Sequence, residues 1–374
     1  MQKREIRVII SGGGTGGHIF PAIAIANALK KRINNIQILF VGAEGKMEME
    51  KVPAAGYHII GLPIAGLQRK LTFKNFIVPF KLMISMFKAK RIVKRFKPDV
   101  VIGVGGYASG PMLKVAANNK IPTVIQEQNS YPGITNKILS KKVDKICVAY
   151  NNMEKYFPKD KVYLTGNPVR QDIVNIEGKR NRGLEFFNLD TNKKTVLVIG
   201  GSLGARNINL SIEKYLDTIA NNDLQLIWQT GKPFYNQAVE ATKKYESKNI
   251  KAYDFITKMD YAYAVADIIV SRAGAIAISE ICAIKKPAIF IPLPTATEDH
   301  QTKNAMALVN YKAALLVKDS DAINVLGDKI INLINDEDQK NKLITNISNL
   351  DYKDSADVIA NVVLSLIKFE KQWI

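Results

Sequence analysis

Two glycine-rich turns, each entered from an apolar run and left through a helical one, constrain this chain more than any other feature. The first follows Arg7-Val8-Ile9-Ile10-Ser11 and reads Gly12-Gly13-Gly14-Thr15-Gly16-Gly17-His18, with Pro21 opening a helical run over 22–30. The second follows Thr195-Val196-Leu197-Val198-Ile199 and reads Gly200-Gly201-Ser202-Leu203-Gly204-Ala205-Arg206, with a helical run over 207–219. Glycine permits the tight strand-to-helix turn and lets backbone N–H groups approach an anion, while the helix N-terminus adds partial positive charge. Two such units predict two Rossmann-like halves facing one cleft.

The remaining pattern agrees with an α/β chain. Short apolar runs at 36–41, 100–104, 123–126 and 145–148 alternate with amphipathic stretches, which predicts parallel sheet. A polar stretch at 175–194 reads as a linker, and a second series of strands starts near 195, 225, 268, 287 and 313. A length of 374 residues fits two domains of about 150 residues each. After the second sheet, 354–368 carries Val358, Ile359, Val362, Val363 and Leu366 at helical spacing, as expected of a helix packing back across the first domain.

Composition narrows the partners. Cys147 and Cys282 lie in apolar runs without metal-ligand spacing, which fits a reducing compartment. The start Met1-Gln2-Lys3-Arg4 runs into the first strand without an apolar signal region, and 76–87 is too short to span a bilayer, which needs about 20 residues. A formal net charge of +19 admits nucleic acid, anionic lipid or a phosphorylated substrate, and abundant Lys, Asn and Ile give it an equally good compositional origin. No arginine-rich tract or aromatic RNA-binding signature supports nucleic acid.

Several strand ends carry candidate chemistry. No Asp or Glu ends the run 36–41, where a ribose-binding carboxylate would support NAD; Gly42-Ala43 follows. His18 sits at a helix N-terminus, whose positive dipole favours the neutral, base-competent imidazole, though a structural capping role is the alternative. Gly105-Gly106-Tyr107-Ala108-Ser109-Gly110-Pro111 is a third possible anion site or a plain tight turn, and Gln126-Glu127-Gln128-Asn129 places four polar side chains after a strand. Thr165-Gly166-Asn167-Pro168-Val169-Arg170 offers a guanidinium suited to a diphosphate. Ser271-Arg272-Ala273-Gly274-Ala275 leads into a helix start bearing Glu280, a carboxylate for a ribose or a helix-dipole partner. The run 292–305 is rich in groups that grip sugar hydroxyls. Asp319-Ser320-Asp321 resembles a cation-binding Asp-x-Asp, yet helix capping over 322–334 explains it more simply; no His or Cys cluster offers a zinc site.

One stripe is left over. Phe73, Phe76, Ile77, Phe80, Ile84 and Phe87 share a helical face broadened by Leu82, Met83 and Met86, with Lys74, Lys81 and Lys88 in one line and Arg91, Lys94, Arg95 and Lys97 beyond. This suits either an interfacial helix on anionic lipid or a helix buried on two sides.

Taken in order, Gly13-Gly14-Thr15-Gly16-Gly17-His18, Gly105-Gly106-Tyr107, Glu127-Gln128-Asn129, Thr165 to Arg170, Gly200-Gly201-Ser202, Ser271 to Ala275 and His300-Gln301 closely resemble the MurG family of peptidoglycan N-acetylglucosaminyltransferases. The resemblance implies a GT-B fold of two Rossmann-like doubly wound parallel-sheet domains, 1–170 on the acceptor and membrane side and 171–351 binding UDP-GlcNAc, with 352–374 returning to the first. It implies inverting transfer of GlcNAc from UDP-GlcNAc to the C4 hydroxyl of the undecaprenyl-linked muramoyl pentapeptide, on the cytoplasmic face of the bacterial plasma membrane. The partners implied are those two substrates, an anionic membrane surface held peripherally, and cell-wall assembly proteins, with no cofactor, metal or nucleic acid. Carried over by motif, His18 is the catalytic base, and Thr15, Gly16, Gly17 and Asn129 hold the donor from the first domain. From the second come Arg170 and Ser202 on the diphosphate, Ile256, then Ala275, Ile276, Ala277, Ile278, Ser279 and Glu280, with Glu280 on the ribose and Gln301 on the amino sugar. The chain departs from the family at His300, where Gln is common, and at Leu203, also commonly Gln. Rival readings are another GT-B enzyme, such as a diacylglycerol glycosyltransferase or a UDP-GlcNAc 2-epimerase, and a silent UDP-sugar-binding scaffold.

Overall fold

The computed structural model describes residues 4–64, 73–201, 204–350 and 354–367, with only the backbone described at 73–77 and at Thr297. The chain forms two compact units, Met1–Val169 with Asp354–Ile374, and Arg170–Lys353.

The first unit runs β1 (Ile6–Ser11), α1 (Gly16–Arg32), β2 (Ile36–Ala43), α2 (Glu48–Ala54), β3 (His58–Leu62), α3 (Phe73–Phe96), β4 (Val100–Gly103), α4 (Ser109–Asn118), β5 (Thr123–Glu127), α5 (Ile134–Leu139), β6 (Lys145–Val148) and β7 (Val162–Leu164). Its strands form one parallel sheet in the order β3-β2-β1-β4-β5-β6-β7. Continuous apolar runs produce this because helices cover both faces, so both sides of a strand are buried. One core layer packs Val8, Ile10 and Ile102 against Ile25 and Leu29 of α1; the other packs Ile9, Val101 and Ile125 against Met112 and Leu113 of α4. Helix α1 begins earlier than 22, with Pro21 inside it. Pro21 stands in the second turn, where it supplies no N–H to the Gly17 carbonyl four residues before it.

The second unit runs α6 (Gln171–Val174), α7 (Arg180–Phe187), β8 (Thr195–Ile199), α8 (Arg206–Lys214), α9 (Leu216–Asn221), β9 (Gln225–Gln229), α10 (Tyr235–Thr242), β10 (Ile250–Tyr253), α11 (Met259–Val265), β11 (Ile268–Ser271), α12 (Ala275–Ala283), β12 (Ala288–Phe290), α13 (His300–Val309), β13 (Leu315–Leu316), α14 (Ala322–Asn335) and α15 (Glu337–Ser348). Its parallel sheet has the order β10-β9-β8-β11-β12-β13. The stretch expected as a linker holds α7 instead, because Leu184 and Phe187 supply a buried face that the polar composition of 175–194 conceals. The helix expected over 207–219 is broken at Tyr215, whose ring lies so close to Gly327 of α14 that a methyl group there would sit 2.0 Å from it. The last helix, α16 (Ser355–Leu364), belongs to the first unit: Ile359, Ala360 and Val363 join the α1 core layer, and Arg32 pairs with Asp357 at 2.8 Å.

Strand order locates the functional edges. In each sheet the winding reverses once, between β1 and β4 in the first unit and between β8 and β11 in the second, and ligands bind beyond the strand C-termini at such a switch point. Ser11 pairs with Gly103 and Ile199 with Ser271, so the turns after these strands are neighbours within each unit.

Candidate active site

In the first unit, the turn after β1 meets the turn after β4. Gly106 has φ +81°, and a methyl group on it would sit 2.4 Å from the Gly13 carbonyl oxygen, so only glycine fits this close approach. At Gly105 an added methyl group would meet His18, at 2.8 Å. Contrary to the reading of the first loop as an open anion cradle, its leading N–H groups are already engaged: Gly12 N–H donates to Val41 O at 3.1 Å, Gly13 N–H to Gly105 O at 3.3 Å, and Gly14 N–H to Glu48 Oε2 at 2.8 Å. What remains for a ligand is the N-terminal turn of α1, formed by Thr15, Gly16 and Gly17.

His18 lies in that turn. Its Nδ1 is 3.0 Å from Gly13 O and 3.2 Å from Thr15 Oγ1. A carbonyl oxygen only accepts, so Nδ1 carries the proton of the neutral ring and Nε2 is left as the basic nitrogen. The ring's Nε2 edge faces the Gly105 turn, where an added methyl would come within 2.9 Å. Asn129 is held by Glu127, whose buried carboxylate accepts from Asn129 N–H (3.0 Å), Asn129 Nδ2 (3.1 Å), Gly133 N–H (3.1 Å) and Asn136 Nδ2 (2.8 Å). Glu127 therefore shapes the loop after β5 rather than meeting solvent. Gln128 is buried, donating to Val104 O at 2.8 Å and contacting Gln126.

In the second unit, Glu280 lies in the second turn of α12, which rules out the capping role weighed from sequence. Its carboxylate accepts from Tyr263 Oη at 3.1 Å and lies 3.9 Å from Arg170 Nη2. Burial pushes the Glu280 carboxyl above its ordinary range, while Arg170 and Tyr263 pull it back. Ala275, Ile276 and Ala277 form the first turn of α12, and Ile278 N–H already donates to Gly274 O at 2.9 Å. Ile278 is buried, and Ser279 Oγ donates to Ala275 O at 2.9 Å. Ile256 N–H donates to Gln229 Oε1 at 3.2 Å, and Gln301 Oε1 accepts from Leu293 N–H at 2.9 Å. Before Gln301, Glu298 and Asp299 both take left-handed backbone angles, at φ 53° and 55°. Ser202 lies outside the described residues.

The Asp-x-Asp string does not present a pair of carboxylates. Asp319 receives Arg272 Nη1 at 2.5 Å and Asn207 Nδ2 at 2.7 Å, and Arg272 also donates to Ile291 O and Pro292 O, both at 3.2 Å. Asp321 holds the N-cap position of α14, but its side chain makes no capping bond; Asp336 does cap α15, accepting from Gln339 N–H at 2.8 Å. Among the described residues there is no group of three or more His, Cys, Asp or Glu side chains placed to hold a metal.

Residues 8–148 match the glycosyltransferase family 28 N-terminal domain, and residues 195–362 match the glycosyltransferase family 28 C-terminal domain. A relative from Flavobacterium psychrophilum, described as UDP-N-acetylglucosamine--N-acetylmuramyl-(pentapeptide) pyrophosphoryl-undecaprenol N-acetylglucosamine transferase, is 54% identical over 98% of this chain and 99% of its own. Its namesake from Parabacteroides distasonis is 52% identical over 97% and 99%. Among solved structures, Acinetobacter baumannii MurG superposes with a TM-score of 0.77 at 26% identity, covering 96% of this chain and 99% of its own. A UDP-GlcNAc 2-epimerase from Neisseria meningitidis shares the fold alone, with a TM-score of 0.66 at 17% identity over 96% and 100%. With both family 28 domains in order and more than half its residues shared with such transferases from end to end, this chain belongs to the MurG family of GT-B N-acetylglucosaminyltransferases.

Proposed function

We propose that this chain transfers N-acetylglucosamine from UDP-GlcNAc, with inversion, to the C4 hydroxyl of undecaprenyl-diphospho-N-acetylmuramoyl-pentapeptide. The observation that carries the reaction is full-length identity above half with transferases named for that donor and acceptor. In the proposed mechanism, His18 Nε2 takes the acceptor hydroxyl proton as the oxygen attacks C1 of the sugar. The C1–O bond to the β-phosphate breaks, and its electron pair leaves with UDP. The Nδ1 contact with Gly13 O supports this role, because it leaves the basic nitrogen of a neutral imidazole on the opposite side of the ring. The second unit holds the donor through Arg170, Ser202, Ile256, Ala275 to Glu280 and Gln301. The N-terminus of α8 and Arg170 stabilise the charge that develops on the leaving diphosphate, so no metal is needed for the chemistry. The first unit takes the acceptor and supplies His18, Thr15 to Gly17 and Asn129.

No helix among the described residues is long and apolar enough to cross a membrane. Peripheral attachment to the cytoplasmic face of the plasma membrane is supported by α3. Its Ala89, Ile92 and Val93 are buried, while Phe80 and Phe87 are 64% and 66% exposed, with Leu82, Met83 and Ile84 also exposed beside Lys81, Lys90, Arg91 and Lys94. An apolar face rimmed by cations fits an anionic lipid surface. Transfer of radiolabelled GlcNAc onto purified lipid-linked muramoyl pentapeptide tests the reaction; UDP-GlcNAc turnover without acceptor, or donor binding without transfer, would replace it with the epimerase or the scaffold reading.

A further inference from the structure

A buried carboxylate outside the proposed machinery lies directly beneath the first glycine turn. Glu48 opens α2 and is 1% exposed. Oε2 accepts from Gly14 N–H at 2.8 Å and Oε1 from Ala43 N–H at 2.9 Å. Its side chain also occupies the space beside two glycines: a methyl group on Gly13 would lie 2.2 Å from Cδ, and one on Gly42 2.5 Å from Cγ. The chain has therefore kept side chains away from two positions where this carboxylate sits.

The bond to Gly14 has a consequence for His18, because Gly14 N–H and Gly13 C=O are the two ends of one peptide group. Glu48 takes the N–H of that peptide at 2.8 Å, and the carbonyl of the same peptide lies 3.0 Å from His18 Nδ1. A negative charge on the donor end draws the N–H proton toward itself and pushes electron density onto the carbonyl oxygen, and hydrogen bonds in series strengthen one another in this way. An ionised acceptor also roughly doubles the strength of its own bond. We propose that Glu48 is a positioning residue for the transfer reaction: through the Gly13–Gly14 peptide it fixes the His18 imidazole as the Nδ1–H tautomer and raises the basicity of Nε2. The inference rests on the reading of His18 as the base. No proton moves through the peptide; Glu48 orients and polarises it. The arrangement does by way of a backbone amide what a carboxylate bonded directly to imidazole does in other acyl- and metal-handling sites.

The other titratable groups on the segments around the ring are otherwise committed or exposed. Glu127 spends its carboxylate on Asn129, Gly133 and Asn136, Glu44 pairs with Lys88 at 2.8 Å, and Tyr107, on the turn after β4, is exposed.

The test uses the full-length protein labelled with ¹⁵N-histidine. It has three histidines, and the signals lost in His18→Gln assign residue 18. In the unsubstituted protein His18 should be the Nδ1–H tautomer at neutral pH; finding Nε2–H overturns the proposal without any variant at residue 48. Glu48→Gln removes the charge and leaves one acceptor oxygen for two N–H donors. It should shift the His18 titration midpoint downward and introduce the second tautomer. Its kcat should fall by roughly 10- to 100-fold, the range for removing an outer partner of a functional imidazole, with KM for UDP-GlcNAc changing less than about twofold. A His18 tautomer and midpoint unchanged by Glu48→Gln, with His18→Ala inactive, defeats the role of Glu48 and leaves His18 as the base. Full turnover by His18→Ala defeats the reading of His18 itself.

Discussion

Replacing Glu280 by Gln separates a ribose-binding carboxylate from a merely buried one, and its effect can be worked from the surroundings. The side chain is 11% exposed, with Oε2 accepting from Tyr263 and Oε1 only 3.9 Å from Arg170, whose own side chain is 37% exposed. A pair that long and that hydrated contributes about 0–1 kcal/mol, so breaking it costs the free protein little. Burial has already raised the carboxyl pKa, meaning that the charge is held at a cost, and the neutral amide relieves that cost. Unfolding temperature should therefore stay level or rise. Donor binding should move the other way. A carboxylate gripping both ribose hydroxyls makes two charge-assisted bonds of about 1.5–3 kcal/mol each; the amide loses one acceptor and roughly halves the other bond. The sum is about 2–4 kcal/mol, or roughly a 30- to 1,000-fold rise in Kd for UDP-GlcNAc. Calorimetric titration of both proteins with UDP-GlcNAc and with its 2′,3′-dideoxyuridine analogue closes a cycle in which the dideoxy ligand should bind both about equally. A Kd within about threefold of the parent, or an undiminished penalty for the dideoxy ligand on the variant, refutes the ribose assignment.

The same carboxyl gives a pH signature with two opposite signs. The folded pKa of Glu280 lies above its ordinary 4.5, so its contribution to stability is present below the unfolded value and is lost as pH rises through the folded one, whereas donor affinity, which needs the ionised form, weakens as pH falls through that same raised value. Unfolding and binding measured across the weakly acidic range check both slopes, and parallel trends would exclude Glu280 as their source. Phe80→Asp with Phe87→Asp removes two exposed rings that would each gain about 1.5–3 kcal/mol on burial in lipid, so partitioning onto anionic vesicles should fall by roughly a hundredfold or more with donor affinity intact; unchanged sedimentation refutes the α3 docking face. His18→Ala should lower kcat by about 10²–10⁴-fold at saturating substrates, as expected for a lost general base, and near-parental turnover refutes its role.

The fold was legible because burial on both faces leaves a plain mark. Val196-Leu197-Val198 or Val100-Val101-Ile102 can only be central strands of a covered parallel sheet, and the helical spacing of Ile359 and Val363 after the second sheet marked a helix with an apolar face to bury. Where contacts lay far apart in sequence, the pattern failed. Nothing at Tyr215 announces the break between α8 and α9, or that its ring will lie against Gly327 of α14. Likewise, α7 hides in 175–194 because Leu184 and Phe187 are too few to lift a polar stretch above its surroundings.

For the site, a glycine-rich string specifies a backbone shape and leaves open which groups its N–H donors meet. At 12–14 the donors go to Val41, Gly105 and Glu48, and the last of these is a carboxylate on the next helix but one, invisible to any motif written around residues 12–18. Its signal was present in another form. At Gly42, near the end of β2 where a dinucleotide fold would place an acid, Glu48 leaves no room for a side chain. A buried anion against the first turn also sets what that turn can hold: its field opposes a second negative charge at Gly13 and Gly14, which confines any phosphate to the N–H groups of Thr15 to Gly17 at the start of α1. In the first glycine-rich turn the helix start, rather than the glycine run, is therefore the part left for a ligand.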